Sequence, residues 1–258
     1  MRLVTRIAAS LALAAMLAAG CGDAATQRGS PVGGPSETDE QALAAERIVA
    51  ASRGTLAPVY APLADYLVDH LDLADAEGVG IDVGGGSGTL AIELAQRTRM
   101  HWVNADINPH FFPHFYRLAE EAGLGHRASA VRADARRLPF RSNWARAIVS
   151  RGSFHFWGDR EDRKQGFAEI YRVLAPGGVA YIGRGFSPNL PPETARRIRA
   201  KQGKKMKYDP CKLADQLAGI MDDLGIDDYE VRVPHPPGAE GVNYGLWLEF
   251  RKPADDGE

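Results

Sequence analysis

The spacing of apolar positions changes several times along the chain, and each change predicts an element. Thr38 followed by Gln41 makes a capping box for a helix running to about Ala51. From Pro62 to Leu71 a second helix carries Leu63, Leu67 and Leu71 on one stripe. Val79–Val83 then reads as a strand, and Thr89–Arg97 as a helix with Leu90, Ile92 and Leu94 inward. His101–Ala105 is a strand ending at Asp106, and Asn108-Pro109 caps a helix to about Ala122. Short strands follow at Ala128–Arg132 and Arg146–Ser150, and a helix spans Arg160–Leu174. Pro176-Gly177-Gly178 turns the chain into a strand at Val179–Ile182. This alternation predicts an α/β fold, a doubly wound, mostly parallel sheet with helices on both faces. The last two strand patterns, Tyr229–Val233 and Tyr244–Phe250, have only a Pro/Gly-rich loop between them, so they are expected to pair as an antiparallel hairpin.

The first forty residues follow no such pattern. Two arginines, Arg2 and Arg6, precede an uninterrupted small-apolar run from Ile7 to Ala19. Thirteen residues are too few to cross a bilayer, which takes about 20, but suit the core of a secretory signal. Ala18-Ala19-Gly20-Cys21 resembles a bacterial lipobox, with Leu17 one position further from the cysteine than is usual. The expectation is a signal over residues 1–20 and a lipidated Cys21. A Gly/Pro/Ser/Thr-rich tether then runs to residue 40, and one domain spans 41–258. Such a protein is anchored to a membrane; it is cytoplasmic if the true start lies downstream of the signal. The composition of the whole chain, 258 residues with 45% hydrophobic content, is that of a globular protein. A net charge of -2 and a pI near 6.4 give no reason to expect a nucleic-acid partner. Two cysteines make no disulfide framework, no metal site is expected, and Cys211 reads as a half-buried thiol at a helix start.

Within the domain, Ile81-Asp82-Val83-Gly84-Gly85-Gly86-Ser87-Gly88 is a strand running into a glycine-rich turn. Glycines let backbone approach a ligand closely. Asp106 ends the next strand, 22 positions after Gly84; Asp134 follows the third; Leu174-Ala175-Pro176-Gly177-Gly178 turns into the fifth. In that order, and with the closing hairpin, the chain resembles the class I S-adenosylmethionine (SAM)-dependent methyltransferases over most of residues 55–252. The resemblance implies their seven-stranded Rossmann-like fold and SAM as cofactor. It implies cofactor contacts at Asp82, Gly84, Gly85, Gly86, Ser87, Gly88, Asp106, Ile107, Asp134, Ala135 and Arg151. Asp106 would accept from the ribose hydroxyls and Asp134 would meet the adenine amino group. A dinucleotide site is the alternative, since Gly86-x-Gly88-x-x-Ala91 and Asp106 also fit that pattern. Asp82 inside the strand and the closing hairpin count against it.

Methyl transfer needs an acceptor aligned with the cofactor and water kept out. The end of the fourth strand, Ser150-Arg151-Gly152-Ser153-Phe154-His155-Phe156-Trp157, is expected to border that point. Arg151 is a partner for a carboxylate or an ordinary surface arginine. His155 is the candidate base, or a histidine packed among aromatics. Tyr60 is a lid residue or core. Trp144-Ala145-Arg146 opens the fourth strand where many relatives carry an acid, and no Asn-Pro-Pro-Tyr sequence occurs, so a small-molecule acceptor is expected. Arg196–Lys207 holds seven basic residues and no acid, which reads as a solvated helix face, or a contact for anionic headgroups. An exported, non-catalytic small-ligand binding module and an interaction module are alternatives to an enzyme.

Overall fold

The structure, a computed structural model, describes residues 36–203 and 210–254. Helix α1 spans Glu37–Arg53 and is capped by Ser36, whose Oγ accepts the Asp39 amide at 3.3 Å while Asp39 accepts the Ser36 amide at 3.1 Å. The capping box is therefore Ser36/Asp39 rather than Thr38/Gln41, and residues 36–40 are a cap and first turn rather than tether. Asp39 reciprocates at the third position, and Glu37, Asp39 and Glu40 complement the positive helix end. Helix α2 covers Ala57–His70, starting before Pro62 because Pro58 takes the first turn. Pro62 sits inside the helix, where its carbonyl accepts the Ser187 hydroxyl at 3.0 Å.

Seven strands form one sheet: β1 (Val79–Val83), β2 (His101–Asp106), β3 (Ala128–Arg132), β4 (Ala145–Arg151), β5 (Leu174–Gly185), β6 (Tyr229–Arg232) and β7 (Gly245–Arg251). Their order is β3-β2-β1-β4-β5-β7-β6, parallel except for β7, which runs antiparallel between β5 and β6. The expected hairpin is present, with β7 inserted beside β5 and β6 at the edge. Strand β5 begins at Leu174, before the expected Val179. A register shift against β4 carries the Pro-Gly-Gly turn within it, and the Arg146 guanidinium donates to the Gly177 carbonyl. An arginine thus fastens the start of β4, where an acid is common in the family that the chain resembles.

Helices α3 (Thr89–Arg97), α4 (Phe112–Glu121), α5 (Arg160–Val173), α6 (Pro192–Gln202) and α7 (Pro210–Leu224), with 3-10 turns at Pro109–Phe111 and Phe154–Phe156, complete the described elements. Strand alternation sorts the core into two layers. Trp102, Val149, Tyr181 and Trp247 meet Leu63 and Leu67 of α2, Leu90 and Leu94 of α3 and Phe115 of α4. On the other face Ile81, Val83, Ile148, Ile182 and Leu248 meet Phe167 and Ile170 of α5 and Leu217 and Ile220 of α7. Each large apolar side chain fully buried this way contributes about 1.5–3 kcal/mol. No helix among the described residues is long and apolar enough to cross a membrane. The signal, Cys21 and the tether up to residue 35 lie outside the described residues, as do Lys204–Lys207 and the side chain of Cys211.

Candidate functional site

The carboxyl ends of β1, β2 and β4 converge on the glycine turn. Most of its glycines make room for the protein itself. A Cβ on Gly84 would fall 2.3 Å from the Ser153 Cβ, and one on Gly85 2.3 Å from Asn104 Oδ1 and 2.5 Å from Asp82 Oδ2. On Gly88, the N-cap of α3 at φ +73°, it would fall 2.2 Å from Phe115 Cδ2. At Gly86 a Cβ would meet nothing closer than Ile48 of α1, at 3.6 Å. The glycines that suggested a ligand cradle are thus mainly packing positions, and Gly86 is the one where a Cβ would make only ordinary contacts, with Ile48 and Phe111. Ser87 is buried, with its Oγ 3.0 Å from Thr89 Oγ1.

Asp106 is fixed by backbone donors. Its Oδ2 accepts the Gly86 amide and its Oδ1 the Asn108 amide, both at 2.9 Å. Burial pushes this carboxyl above the ordinary carboxylate range, against those amides, which favour its charge. A carboxylate has about four acceptor sites, so lone pairs remain for further donors. Beside it Ile107 is 49% exposed, an apolar side chain left facing outward at a strand end. Asn108 ties this corner to α1, its Nδ2 donating to the Gln41 carbonyl at 2.9 Å. Helix α1 thus lies along the turn, seated by Ala45 and Val49 against Phe111.

Asp82 lies beneath the turn. It is 1% exposed, aligned with Asn104 on β2, and neither carboxyl oxygen has a hydrogen-bond partner among the described residues. Burial, then the Asp106 charge, push it up to about 7, with Arg151 opposing. Asn104 donates from Nδ2 to the Gly86 carbonyl at 3.0 Å. Asn104 thus props the turn from below, while Asp82 packs beneath Gly85 without a hydrogen bond among the described residues.

Asp134 is already engaged. Arg136 donates to it from its amide (2.9 Å), Nε (3.0 Å) and a terminal nitrogen (2.6 Å), and reaches Asp162 at 3.1 Å. Burial alone would raise this carboxyl, but the Arg136 hydrogen bonds hold it below its usual range. The adenine contact expected of Asp134 therefore competes with Arg136. Ala135, next in the chain, is buried.

At the end of β4 the contacts are made by side chains. Ser153 donates to the Val83 carbonyl at 3.0 Å and lies 2.5 Å from the Ser150 hydroxyl, locking this exit to the end of β1. Arg151 donates from Nε to the Gly185 carbonyl at 3.2 Å, and its guanidinium sits 5.3 Å from the centre of the Tyr60 ring. Tyr60 is buried, with its hydroxyl 3.0 Å from Ser52 Oγ. His155 lies in a 3-10 turn (Phe154–Phe156), its ring 4.1 Å from that of Phe156, which is 67% exposed. Burial, followed by Arg184 and Arg163, pushes the imidazole down to about 3, and Nδ1 is buried without a hydrogen-bond partner among the described residues. His155 is thus a neutral, weakly basic acceptor here.

Of the expected residues, Gly84–Gly88, Asp106, Ile107 and Arg151 come together at the strand ends, and Tyr60 joins them through Arg151. Sequence reasoning passed over Asn104 and Arg136, read Asn108 only as a helix cap, and gave α1 no part in the site. A polar Asn104 inside an apolar strand, aligned with Asp82, was the one available signal. The strand ends fit SAM: Asp106 has lone pairs to spare, and Ile107 offers an apolar surface. Asp134 fits it only where Arg136 yields.

Comparisons with known proteins agree with this geometry. Residues 81–178 match the family model described as a methyltransferase domain. A crystal structure from Methanococcus maripaludis, of a protein assigned to the SAM-dependent methyltransferases, superposes with a TM-score of 0.72 at 26% identity. It covers 89% of this chain and 99% of that one. The Arabidopsis thaliana 2-methyl-6-phytyl-1,4-hydroquinone methyltransferase is 30% identical over 119 residues, 46% of this chain and 33% of that protein. An Aspergillus fumigatus sterol 24-C-methyltransferase is 31% identical over 115 residues, 44% and 29% of the two chains. The chain spans about a third of the length of these curated relatives. The sheet is that of the class I methyltransferases.

Proposed function

We propose that this protein is a SAM-dependent methyltransferase with a small-molecule acceptor. One observation carries the reading: Asp106 is held by the Gly86 and Asn108 amides at the rim of the glycine turn, with acceptor capacity left for a ribose. When bound, SAM supplies a sulfonium methyl as the electrophile. The chain's part is orientation and exclusion of water. Asp106 and the turn hold the nucleoside side, Ile107 covers an apolar face, and Arg151 presents a cation between the Gly185 carbonyl and Tyr60. With its low basicity His155 orients an acceptor or takes a hydrogen bond from it, rather than drawing off a strongly held proton.

The named acceptors of the relatives, a hydroquinone and a sterol, are small and apolar, which supports a small-molecule acceptor in the same broad class. The test is formation of demethylated SAM when the protein is given the low-molecular-mass or the macromolecular fraction of a cell extract. Turnover confined to the first is expected; turnover confined to the second would sink the small-molecule reading. A second reading, ligand binding without catalysis, draws on the Arg136 clamp, which satisfies Asp134 without a cofactor.

The N-terminal pattern supports a further part of the proposal, export and lipidation at Cys21 with the domain anchored to a membrane. Replacing Cys21→Ser should then remove a lipid-sized mass and release the protein from the membrane fraction. An unchanged mass and partition would refute the anchor.

A further inference from the structure

Beneath the glycine turn, two buried side chains bring acceptor oxygens together with no donor between them. Asp82 on β1 and Asn104 on β2 are aligned in register, 1% and 0% exposed. Asn104 has a fixed orientation: its Nδ2 donates to the Gly86 carbonyl at 3.0 Å, which leaves Oδ1 to the other side. That oxygen and Asp82 Oδ2 crowd one point beside Gly85, where a Cβ would fall 2.3 Å from the first and 2.5 Å from the second. Asp82 Oδ1, Asp82 Oδ2 and Asn104 Oδ1 are all buried without a hydrogen-bond partner among the described residues.

An ionised Asp82 would put only acceptors here, one of them charged, each bearing the cost of an unmet buried polar group. A proton on the carboxyl removes the charge and supplies the missing donor, an O–H for Asn104 Oδ1. The neighbours divide. From β2 the Asp106 carboxylate disfavours a second charge; from β4 Arg151 favours one, as does the Ala91 amide of α3. The β4 residue paired with Asp82 is the apolar Val149. Burial outweighs Arg151 and the amide, so the carboxyl is pushed up to about 7. This acid also has a line to the surface. Asn104 holds the Gly86 carbonyl, and the Gly86 amide donates to Asp106 at 2.9 Å, so one peptide unit joins the buried pair to the carboxylate at the rim.

We propose that Asp82 and Asn104 form a buried proton-binding site coupled to the cofactor: the free protein holds a proton between them, and a cation seated on the turn expels it to solvent. The coupling takes the turn to be a SAM site, as proposed above. SAM and its demethylated product share the nucleoside and the amino-acid portion and differ by one positive charge, on sulfur. A positive charge at the strand ends favours the ionised carboxyl, whereas the uncharged sulfur of the product leaves the proton in place. SAM therefore gains on the product as pH rises through about 7.

The test has two arms on the full chain and on Asp82→Asn, whose side-chain amide keeps a donor for Asn104; melting curves confirm that the variant folds. The first arm needs no ligand. The infrared spectrum of the wild type less that of the variant should show one carboxylic-acid carbonyl band at about pH 6, fading by about pH 8. The second arm titrates SAM and its product by calorimetry in buffers of different ionisation enthalpy. The wild type should release more protons with SAM than with the product, and its SAM-to-product affinity ratio should rise about threefold or more between those pH values. Titration of the ligands themselves appears equally in Asp82→Asn, so the excess of wild type over variant is the Asp82 proton. A missing acid band at about pH 6 overturns the proposal, with ordered water then holding an ionised Asp82. A band with equal proton counts in the two proteins overturns the coupling and leaves the proton a fixed part of the fold. Binding of neither ligand fails the SAM reading and takes the coupling with it, a result that the ligand-free infrared arm keeps apart from failure of the proton site.

Discussion

The glycine turn and the exit of β4 face each other across the strand ends, and they are built by different means. In the turn, geometry is set by backbone: amides of Gly86 and Asn108 clamp Asp106, and Gly84, Gly85 and Gly88 are pressed against neighbouring atoms. At the β4 exit it is set by side chains, with Arg151 between Tyr60 and the Gly185 carbonyl, Ser153 on the Val83 carbonyl and His155 against its neighbour Phe156. A backbone-built site tolerates no Cβ but is indifferent to most other changes. A side-chain-built site can be re-lined one residue at a time. The difference accounts for a glycine turn that residue type alone discloses and a β4 exit that names no acceptor.

The largest effect that would test this contrast is on stability. Gly88→Ala puts a Cβ 2.2 Å from Phe115 at φ +73°, and is expected to cost about 2–4 kcal/mol, visible as a thermal midpoint lower by several degrees. A near-neutral Gly88→Ala would mean that the turn is looser than drawn. Next comes Asp82. Its folded value, about 7, exceeds the ordinary 3.8, so the folded state holds the proton more tightly than the unfolded chain. Stability from this group is full below 3.8 and declines as pH rises through about 7. Asp82→Asn removes that decline, so the variant gains on the wild type between pH 4 and pH 8 in melting experiments. A parallel pH profile would show Asp82 to be ionised in the fold.

Arg136→Gln has a smaller effect of opposite sign. Asp134 is held below 3.8, so its contribution is present above that value and lost as pH falls through the depressed one. The variant should flatten this acid limb, and SAM affinity should hold or rise as Asp134 is freed. A fall in affinity would show the clamp to be part of the site. The smallest expected signal belongs to His155. Its ring protons, followed by NMR, should not titrate between pH 5 and pH 8, because burial and two arginines keep the imidazole neutral down to about 3. An inflection near 6.5 would restore His155 as a general base.

How much the sequence disclosed follows the same division. The strands, their alternation with helices and the closing hairpin were legible because periodicity and turn residues act locally. The glycine turn and Asp106 were legible because residue type alone restricts the backbone there. Helix starts were displaced where two caps competed, as Ser36/Asp39 did with Thr38/Gln41, or where a proline could serve as a start or an interior residue, as at Pro62. Arg136 lies two residues from Asp134, yet nothing in that spacing says that its fork closes on the carboxylate. The Arg151–Tyr60 contact joins residues far apart in the chain, and only the fold brings them together.

The most direct test of the central claim is calorimetric titration of SAM and its demethylated product into the full chain and into the Asp106→Ala variant. The account predicts micromolar binding by the wild type, weakened roughly 10- to 100-fold in the variant as charge-assisted hydrogen bonds to the ribose are lost. No binding by the wild type, or equal binding by the two proteins, would contradict it and leave the glycine turn as a packing device of the fold.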